Sequence, residues 1–143
     1  MKTSNRGITL IQAHEGLTLV AYRCPANVPT IGYGHTSGVK DGDTCTPAEA
    51  TNFLIDDLAT AEAAVNQECT NINQNQFDAL VSFVFNVGVG AFKRSTLLKR
   101  VQANPQNQNI AYEFSRWNKA GGQALRGLIR RRKEEAELYF DPI

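Results

Sequence analysis

The spacing of apolar and polar positions divides the chain near residue 46. Between residues 17 and 46, β-prone apolar residues alternate with polar ones, and Gly, Pro, Asn and Asp interrupt the stretch every few positions. Alternation with period two, broken by turn residues, predicts a small antiparallel sheet with tight turns. Ahead of it, residues 7–14 predict a short opening helix, and beyond it the apolar positions follow helical spacing throughout.

Cap residues predict where the later helices begin. Thr46 and Asn73 are each followed three positions on by Glu or Gln, the capping-box pattern, and Ser95 precedes the segment TLLKRVQA. The first of these helices is expected to continue to Gln67. The second is apolar almost all round, which is typical of a buried central helix, and the glycines of NVGVG are expected to end it. Two more helices are expected in NIAYEFSRW and LIRRRKEEAELYF, joined by the loop NKAGGQALRG.

This order of elements predicts an α+β fold that is predominantly α. We expect one domain over residues 1–143, with a β-rich lobe at about residues 15–46, a larger helical lobe at residues 47–143, and a cleft between the lobes. A length of 143 residues is close to the commonest domain size. Clefts between lobes are where substrates bind.

Composition narrows the function classes. A formal net charge of +1 gives no overall field that would attract nucleic acid or an anionic membrane. The N-terminal apolar stretch is too short for a signal peptide, and the most apolar segment, residues 79–92, is too short to span a bilayer. We therefore expect no nucleic acid partner, no stable membrane insertion, and a chain that is made and kept in the cytoplasm.

The cysteines, histidines and charged clusters favour structural roles. Three cysteines at long spacings argue against a disulfide framework, although a single Cys45–Cys69 bridge stays open. No Cys-x-x-Cys or His-x-x-x-His pair is present, so we expect no metal site. Asp41 and Asp43 flank a glycine and are expected to be turn residues. The basic run at residues 130–133 is expected to be a solvated helix face.

Glu15, Cys24 and Thr30 are the candidates for chemistry. Glu15 lies where the opening helix meets the sheet, and partial burial there would keep the carboxyl protonated, which general acid catalysis requires. Cys24 is a free thiol, with an ordinary pKa of about 8.5, and Thr30 heads the segment TIGYG. Each residue taken alone also fits an ordinary structural role.

The spacing of these three residues carries a resemblance. Glu, eight residues, Cys, five residues, Thr, followed at once by IGYGH, resembles the active-site segment of the phage-type lysozymes, glycoside hydrolase family 24, in which Asp or Cys fills the middle position. Further segments extend the resemblance over nearly the whole chain, namely EGLTLVAY, QNQFDALVSFVFNVGVGAF, RWNKAGG and GLIRRRKEEAELYF. The chain resembles the lambdoid endolysins of that family most, so a lysozyme-like fold is expected.

The resemblance implies a muramidase that needs no cofactor and cuts the β-1,4 bond between N-acetylmuramic acid and N-acetylglucosamine in peptidoglycan. It implies that Glu15 is the general acid, that Thr30 helps to position a water molecule, and that Cys24 takes the place usually held by aspartate. It also implies that Arg131 pairs with Glu15 across the cleft. Trp117 is expected in the core or in the cleft wall, where its aromatic face could stack on a sugar. Such an enzyme acts on the host wall after a holin opens the inner membrane, and we expect a monomer.

Two roles for Cys24 stay open. A neutral or partly ionised thiol would orient water together with Thr30 and give inversion, whereas a thiolate nucleophile would give retention. Inversion is favoured, because a neighbouring carboxyl would raise the pKa of the thiol. The main rival function is a peptidoglycan peptidase or amidase with Cys24 as nucleophile and His35 as base. A non-catalytic wall-binding module is the third hypothesis.

Overall fold

The computed structural model describes residues 1–143, which form eight helices and four short strands. In chain order the elements are α1 (Asn5–Glu15), β1 (Thr18–Arg23), β2 (Pro29–Gly32), α2 (Pro47–Asp57), α3 (Ala59–Glu68), α4 (Gln74–Val87), α5 (Val89–Arg94), α6 (Thr96–Ala103), α7 (Asn109–Ser115), β3 (Lys119–Ala120), β4 (Gln123–Ala124) and α8 (Arg126–Phe140). None of the helices has both the length and the apolar character that crossing a membrane needs. The predicted class, α+β and predominantly α, is confirmed.

The chain forms two compact units. The smaller unit is residues 11–59, and the larger unit joins residues 1–10 to residues 60–143. The smaller unit includes α2 and therefore extends beyond residues 15–46, where the sequence placed the β-rich lobe. The expected single domain stays a prediction.

The sheet of the smaller unit is built around β1. β2 pairs antiparallel with β1 and places Thr30 opposite Tyr22. On the other edge of β1, Ala21 N donates to Asp43 O at 2.8 Å, so the residues at 43–45 extend the sheet. This hydrogen bond satisfies a backbone N–H of β1 that β2 does not reach. The predicted antiparallel sheet at residues 17–46 is confirmed.

All three predicted helix caps are present. Thr46 and Asn73 each form a full capping box with the residue three positions on, at the start of α2 and α4. At the start of α6, Ser95 Oγ accepts a hydrogen bond from Leu98 N at 3.0 Å. Each cap satisfies a helix N–H that has no partner within the helix, which is why these starts could be predicted from local sequence.

One predicted helix is wrong in its extent. The sequence predicted a continuous helix over residues 47–67, but α2 ends at Asp57 and α3 starts at Ala59. Leu58, between them, keeps helical backbone angles (φ −72°, ψ −14°) and is only 1% exposed. The break therefore falls at a buried residue whose backbone stays helical. No Gly or Pro marks it in the sequence.

α4 is the buried centre of the larger unit, as its apolar sequence predicted. Its residues 75–84 are all buried, and the helix packs against α5 and α8. Phe83 makes edge-to-face contacts with Phe92, Phe114 and Trp117. Aromatic pairs in this geometry contribute about 0.5–1.5 kcal/mol beyond the burial of their surface. These contacts join α4, α5 and α7 into one core.

Two short elements of the larger unit were not predicted. Gly88, with φ +95°, ends α4 as expected, but Gly90 lies inside the short helix α5. The loop expected at residues 118–127 contains the hairpin β3–β4, whose turn residues Gly121 and Gly122 have positive φ. Both elements are too short for hydrophobic periodicity to reveal.

The expectation of a solvated basic face on α8 is wrong for two of its four members. Arg131 and Arg132 are only 4% and 1% exposed. Glu135 is fully buried, lies 2.7 Å from Arg132 Nε and 3.3 Å from Arg131 Nε, and accepts a hydrogen bond from Ser82 Oγ. A carboxylate one turn further along the helix supplies the opposite charge that two buried guanidinium groups need.

Candidate active site

Glu15 is the last residue of α1, at the point where the chain turns toward β1. Gly16 follows with φ +74°, a left-handed conformation that glycine adopts without steric cost, and its amide donates to Gln12 O. The half-buried Glu15 side chain lies beside the turn after β2, because a Cβ placed on Gly34 would be 3.8 Å from Glu15 Oε1. The candidate acid therefore faces the TIGYG segment.

The turn at residues 32–34 is held on two sides. Ile31 and His35 exchange backbone hydrogen bonds of 2.9 and 2.8 Å across it. The His35 ring stacks on Phe53 with centroids 4.3 Å apart, and its Nδ1 lies 2.8 Å from an Asp57 carboxylate oxygen. Both partners belong to α2, so this helix anchors the turn. His35 therefore packs behind TIGYG, against α2.

Cys24 begins the tight turn that leads from β1 to β2. Its N–H donates to Val28 O at 3.1 Å, and Asn27 N donates to Cys24 O at 2.7 Å. Asn27 has φ +60° and is the one non-glycine residue of the chain with positive φ, a conformation that asparagine tolerates better than most residues. The turn directs the backbone amides of Val28 and Ala26 toward the sulfur.

These amides change the acidity of the thiol. Hydrogen bonds from the backbone of Val28, then of Ala26, and then from the Thr30 hydroxyl lower the pKa of Cys24 below its ordinary value. Burial acts in the opposite direction and has a smaller effect. Thr30 Oγ1 also donates to Val28 O at 2.8 Å. A hydroxyl has only one hydrogen, so Thr30 cannot donate fully to both Val28 O and the sulfur. The two amides are therefore the main donors to the sulfur.

The sequence predicted a raised pKa for Cys24 because of a neighbouring carboxyl, but the pKa is lowered and no carboxyl is among its causes. Sequence reasoning missed the lowering because the amide directions depend on the backbone conformation at Asn27, which residue types alone do not determine. One signal was present in the segment CPANV, whose Pro and Asn are typical of turns. A cysteine at the head of such a turn accepts amide hydrogen bonds in the way that an Asp or Asn side chain does.

Three of the expected site residues belong to one compact unit. Glu15, Cys24 and Thr30 all lie in the smaller unit, and the Thr30 hydroxyl is among the groups that lower the pKa of Cys24. Arg131 and Trp117 belong to the larger unit, where the first joins the buried ionic cluster of α8 and the second is half-buried against the aromatic core. The pairing of Arg131 with Glu15 and the placement of Trp117 in a cleft stay predictions.

The residues of the rival hypotheses have other partners. His35 bonds to Asp57 and makes no hydrogen bond to Cys24, so the thiol–imidazole pair of a cysteine peptidase is not formed. Asp43 accepts from Lys40 N in the turn around residue 42, which confirms its expected turn role. All three cysteines are free thiols, so the alternative of a single disulfide is not realised. No three His, Cys, Asp or Glu side chains are grouped as a metal ion requires.

The relatives of the chain in sequence are phage endolysins. The family model described as phage lysozyme matches residues 12–135. The chain is 42% identical to an endolysin of Acyrthosiphon pisum secondary endosymbiont phage 1, over 97% of this chain and 98% of that relative. It is 43% identical to an endolysin of Bacillus phage PZA over 97% of this chain, and it spans 55% of that relative, about half its length.

Solved structures are similar over almost the whole chain. The muramidase domain of SpmX from Asticaccaulis excentricus is 39% identical, with a TM-score of 0.92 and 99% of both chains covered. A mutant of the lysozyme of phage P22 is 36% identical, with a TM-score of 0.90 and the same 99% coverage of both chains. The lysozyme-like fold expected from the residue spacing is confirmed.

Proposed function

Because the chain belongs to the phage lysozyme family, we propose that this cell-wall lytic enzyme hydrolyses the β-1,4 bond between N-acetylmuramic acid and N-acetylglucosamine in peptidoglycan. A glycosidic oxygen is a poor leaving group until it is protonated, and the bond breaks through an oxocarbenium-like transition state. The site must therefore supply a proton donor on one side of the bond, and an electron-rich group with a water molecule on the other.

Glu15 is the general acid that protonates the departing oxygen. Its side chain is held at the end of helix α1, half-buried and beside Gly34. Since glycine has no side chain, the backbone of the turn can come close to the carboxyl without covering it. A positioned acid of this kind contributes about 10²- to 10⁴-fold to the rate.

Cys24 and Thr30 hold the water molecule that attacks the anomeric carbon. The lowered pKa of Cys24 increases the fraction of thiolate, which can accept a hydrogen bond from the water and take its proton as it attacks. The Thr30 hydroxyl, next to the sulfur, holds the same water molecule from a second side. Attack by water, with inversion at the anomeric carbon, is therefore favoured over a covalent intermediate.

The observation that carries this proposal is the half-buried Glu15 carboxyl at the end of α1, in the same compact unit as Cys24 and Thr30. The contrast between Cys24 and Cys69 supports it. Burial raises the pKa of the Cys69 thiol to about 12, which is the behaviour of a structural cysteine. Backbone amides and the Thr30 hydroxyl instead lower the pKa of Cys24. A thiol with a lowered pKa forms its anion more readily. Because it lies in the same compact unit as the Glu15 carboxyl, it suits a site that needs both an acid and an anion.

The proposal is tested by Glu15→Gln. Glutamine keeps the shape of the side chain but has no acidic proton, so we expect cell lysis and the release of reducing ends to fall by at least about 100-fold. Glu49→Gln is the matched control and should retain activity, because Glu49 lies in the same unit and glutamine also completes its capping box with Thr46.

The products give a second readout in the same assay. NMR of the first products from the wild-type enzyme should show the inverted anomer. A Glu15→Gln variant within a few-fold of the wild type, or release of new amines in place of reducing ends, contradicts a muramidase with this acid. A retained anomer contradicts only the role given to the water molecule.

The route to the wall is also part of the proposal. The enzyme reaches peptidoglycan from the host cytoplasm once a holin has opened the inner membrane, and it acts as a monomer. This part is supported by the resemblance to lambdoid endolysins and by the endolysin relatives.

A further inference from the structure

The side chain of Arg23 binds the turn that holds Cys24. Arg23 Nη1 donates to Asn27 O at 3.0 Å and lies 3.4 Å from Asn27 Oδ1, and Nη2 lies 2.6 Å from an Asp41 oxygen. One nitrogen therefore binds the Cys24 turn, and the other binds the turn at residues 40–43 on the opposite edge of β1. The planar guanidinium fork fixes the angle between these two contacts.

The carbonyl that Arg23 binds belongs to the same peptide group as one of the amides that bind the sulfur. Asn27 C=O and Val28 N–H lie on one planar trans peptide unit, in which the two bonds point in opposite directions. A donor that fixes the carbonyl on one side therefore fixes the direction of the amide on the other side. Hydrogen bonding to the carbonyl also strengthens the amide as a donor, because linked hydrogen bonds polarise one another.

We propose that Arg23 is a positioning residue, which aims the Val28 amide at the Cys24 sulfur by binding the Asn27 carbonyl. The inference rests on the proposed role of Cys24 and names the side chain that orients its hydrogen-bond donor. A holder is needed because Asn27 has φ +60°, which is unfavourable for a residue with a Cβ.

The exposure of the Arg23–Asp41 pair supports a local role over a global one. The two side chains are 48% and 65% exposed. Ion pairs this exposed contribute little to the free energy of folding. The acidity of the thiol is set by hydrogen bonds from Val28, Ala26 and Thr30, and no charged side chain is among its causes. Arg23 therefore acts on the thiol through the peptide group it holds.

The rate at which iodoacetamide alkylates Cys24 across a range of pH tests the proposal, because alkylation requires the thiolate. Cys45→Ser provides the background, in which Cys24 is the accessible thiol because Cys69 is buried. In Arg23→Gln we expect the pH midpoint to rise and the alkylation rate at pH 7 to fall about two- to tenfold, the range that corresponds to one lost hydrogen bond.

Asp41→Ala separates positioning from a through-space effect of charge. Removal of a nearby negative charge would by itself favour the thiolate and speed up alkylation. Release of the Arg23 anchor should instead misdirect the Val28 amide and slow alkylation about twofold, at the low end of the same range. An unchanged profile in Arg23→Gln, or faster alkylation in Asp41→Ala, overturns the proposal.

Turnover distinguishes this inference from the proposed function. If Cys24 takes part in catalysis, kcat on a soluble glycan should fall in Arg23→Gln by the same factor as the alkylation rate, with KM unchanged. A shifted alkylation profile with unchanged kcat supports the role of Arg23 and removes Cys24 from the proposed mechanism. Both replaced side chains are about half exposed or more, so the variants should fold, which circular dichroism can check.

Discussion

At residue 24 the family pattern accepts aspartate or cysteine, and the two differ in the pH at which they become anions. An ordinary aspartate ionises near pH 3.9 and an ordinary thiol near pH 8.5. The turn amides lower the pKa of Cys24, which narrows this difference. We expect Cys24→Asp to keep substantial lytic activity and to move the pH optimum lower. The reason is that the state with protonated Glu15 and an anion at position 24 then forms at lower pH.

Cys24→Asn is the control for that experiment, since asparagine has the shape of aspartate without its charge. It should lose most of the activity at every pH. Full activity in Cys24→Asn, together with an unchanged optimum in Cys24→Asp, would show that the reaction uses no anion at this position.

What the sequence could predict about the site depends on how local each feature is. Glu15, Cys24 and Thr30 lie within about sixteen positions, so their spacing can be recognised directly, although their roles stay predictions. The acidity of Cys24 depends on the left-handed backbone at Asn27, and the Arg23 contact joins residues 18 positions apart through a side-chain rotamer. Neither a backbone angle nor a rotamer can be obtained from residue types alone.

Among the elements, those with a local start signal were predicted and those set by packing were not. Capping side chains mark the starts of α2, α4 and α6 because they bond amides three positions away. The break between α2 and α3 falls at the buried Leu58, and no Gly, Pro or capping pattern marks it in the sequence. The burial of two arginines in α8 had a signal in the run RRRKEE, where carboxylates follow at helical spacing.

α8 allows a test of how its buried charge contributes to stability. Glu135 contacts both buried arginine side chains of α8, Arg131 and Arg132. Because loss of one partner leaves buried charge without compensation, we expect Glu135→Gln to lower the free energy of unfolding by about 3 kcal/mol, measured by urea denaturation.

The neighbouring residue supplies the matched control. Glu134 lies 3.7 Å from Arg130, whose side chain is 70% exposed. Exposed i, i+4 pairs contribute about 0.3–0.5 kcal/mol, so Glu134→Gln should change the unfolding free energy by no more than that. If the two substitutions lower the free energy of unfolding equally, the burial of the Arg131–Arg132–Glu135 cluster does not determine how much it stabilises the fold.

Over the whole molecule, a small net charge conceals an uneven distribution. The net charge is +1, yet the smaller unit carries six acidic and two basic side chains, and the larger unit carries thirteen basic and eight acidic ones. The long-range field expected from the net charge is weak. Close to an anionic polymer such as the cell wall, however, the larger unit presents an attractive surface and the smaller unit a repulsive one.

This distribution predicts different effects for the same substitution in the two units. Lys99 is exposed in the larger unit and Lys40 is exposed in the smaller unit. At an ionic strength of about 0.15 M the screening length is about 8 Å, so each lysine acts only on wall groups close to it. We expect Lys99→Gln to slow the lysis of intact walls up to about fivefold, the upper range for one exposed charge, and Lys40→Gln to leave it nearly unchanged.

Hydrolysis of a short glycan fragment should be nearly the same in both variants, because a fragment bound in the site brings no extended wall charge close to either lysine. Near 0.01 M the screening length grows to about 30 Å, and the two substitutions should become more alike. If both slow wall lysis equally at about 0.15 M, only the net charge matters, and the separation of charge between the units has no part in bringing the enzyme to its substrate.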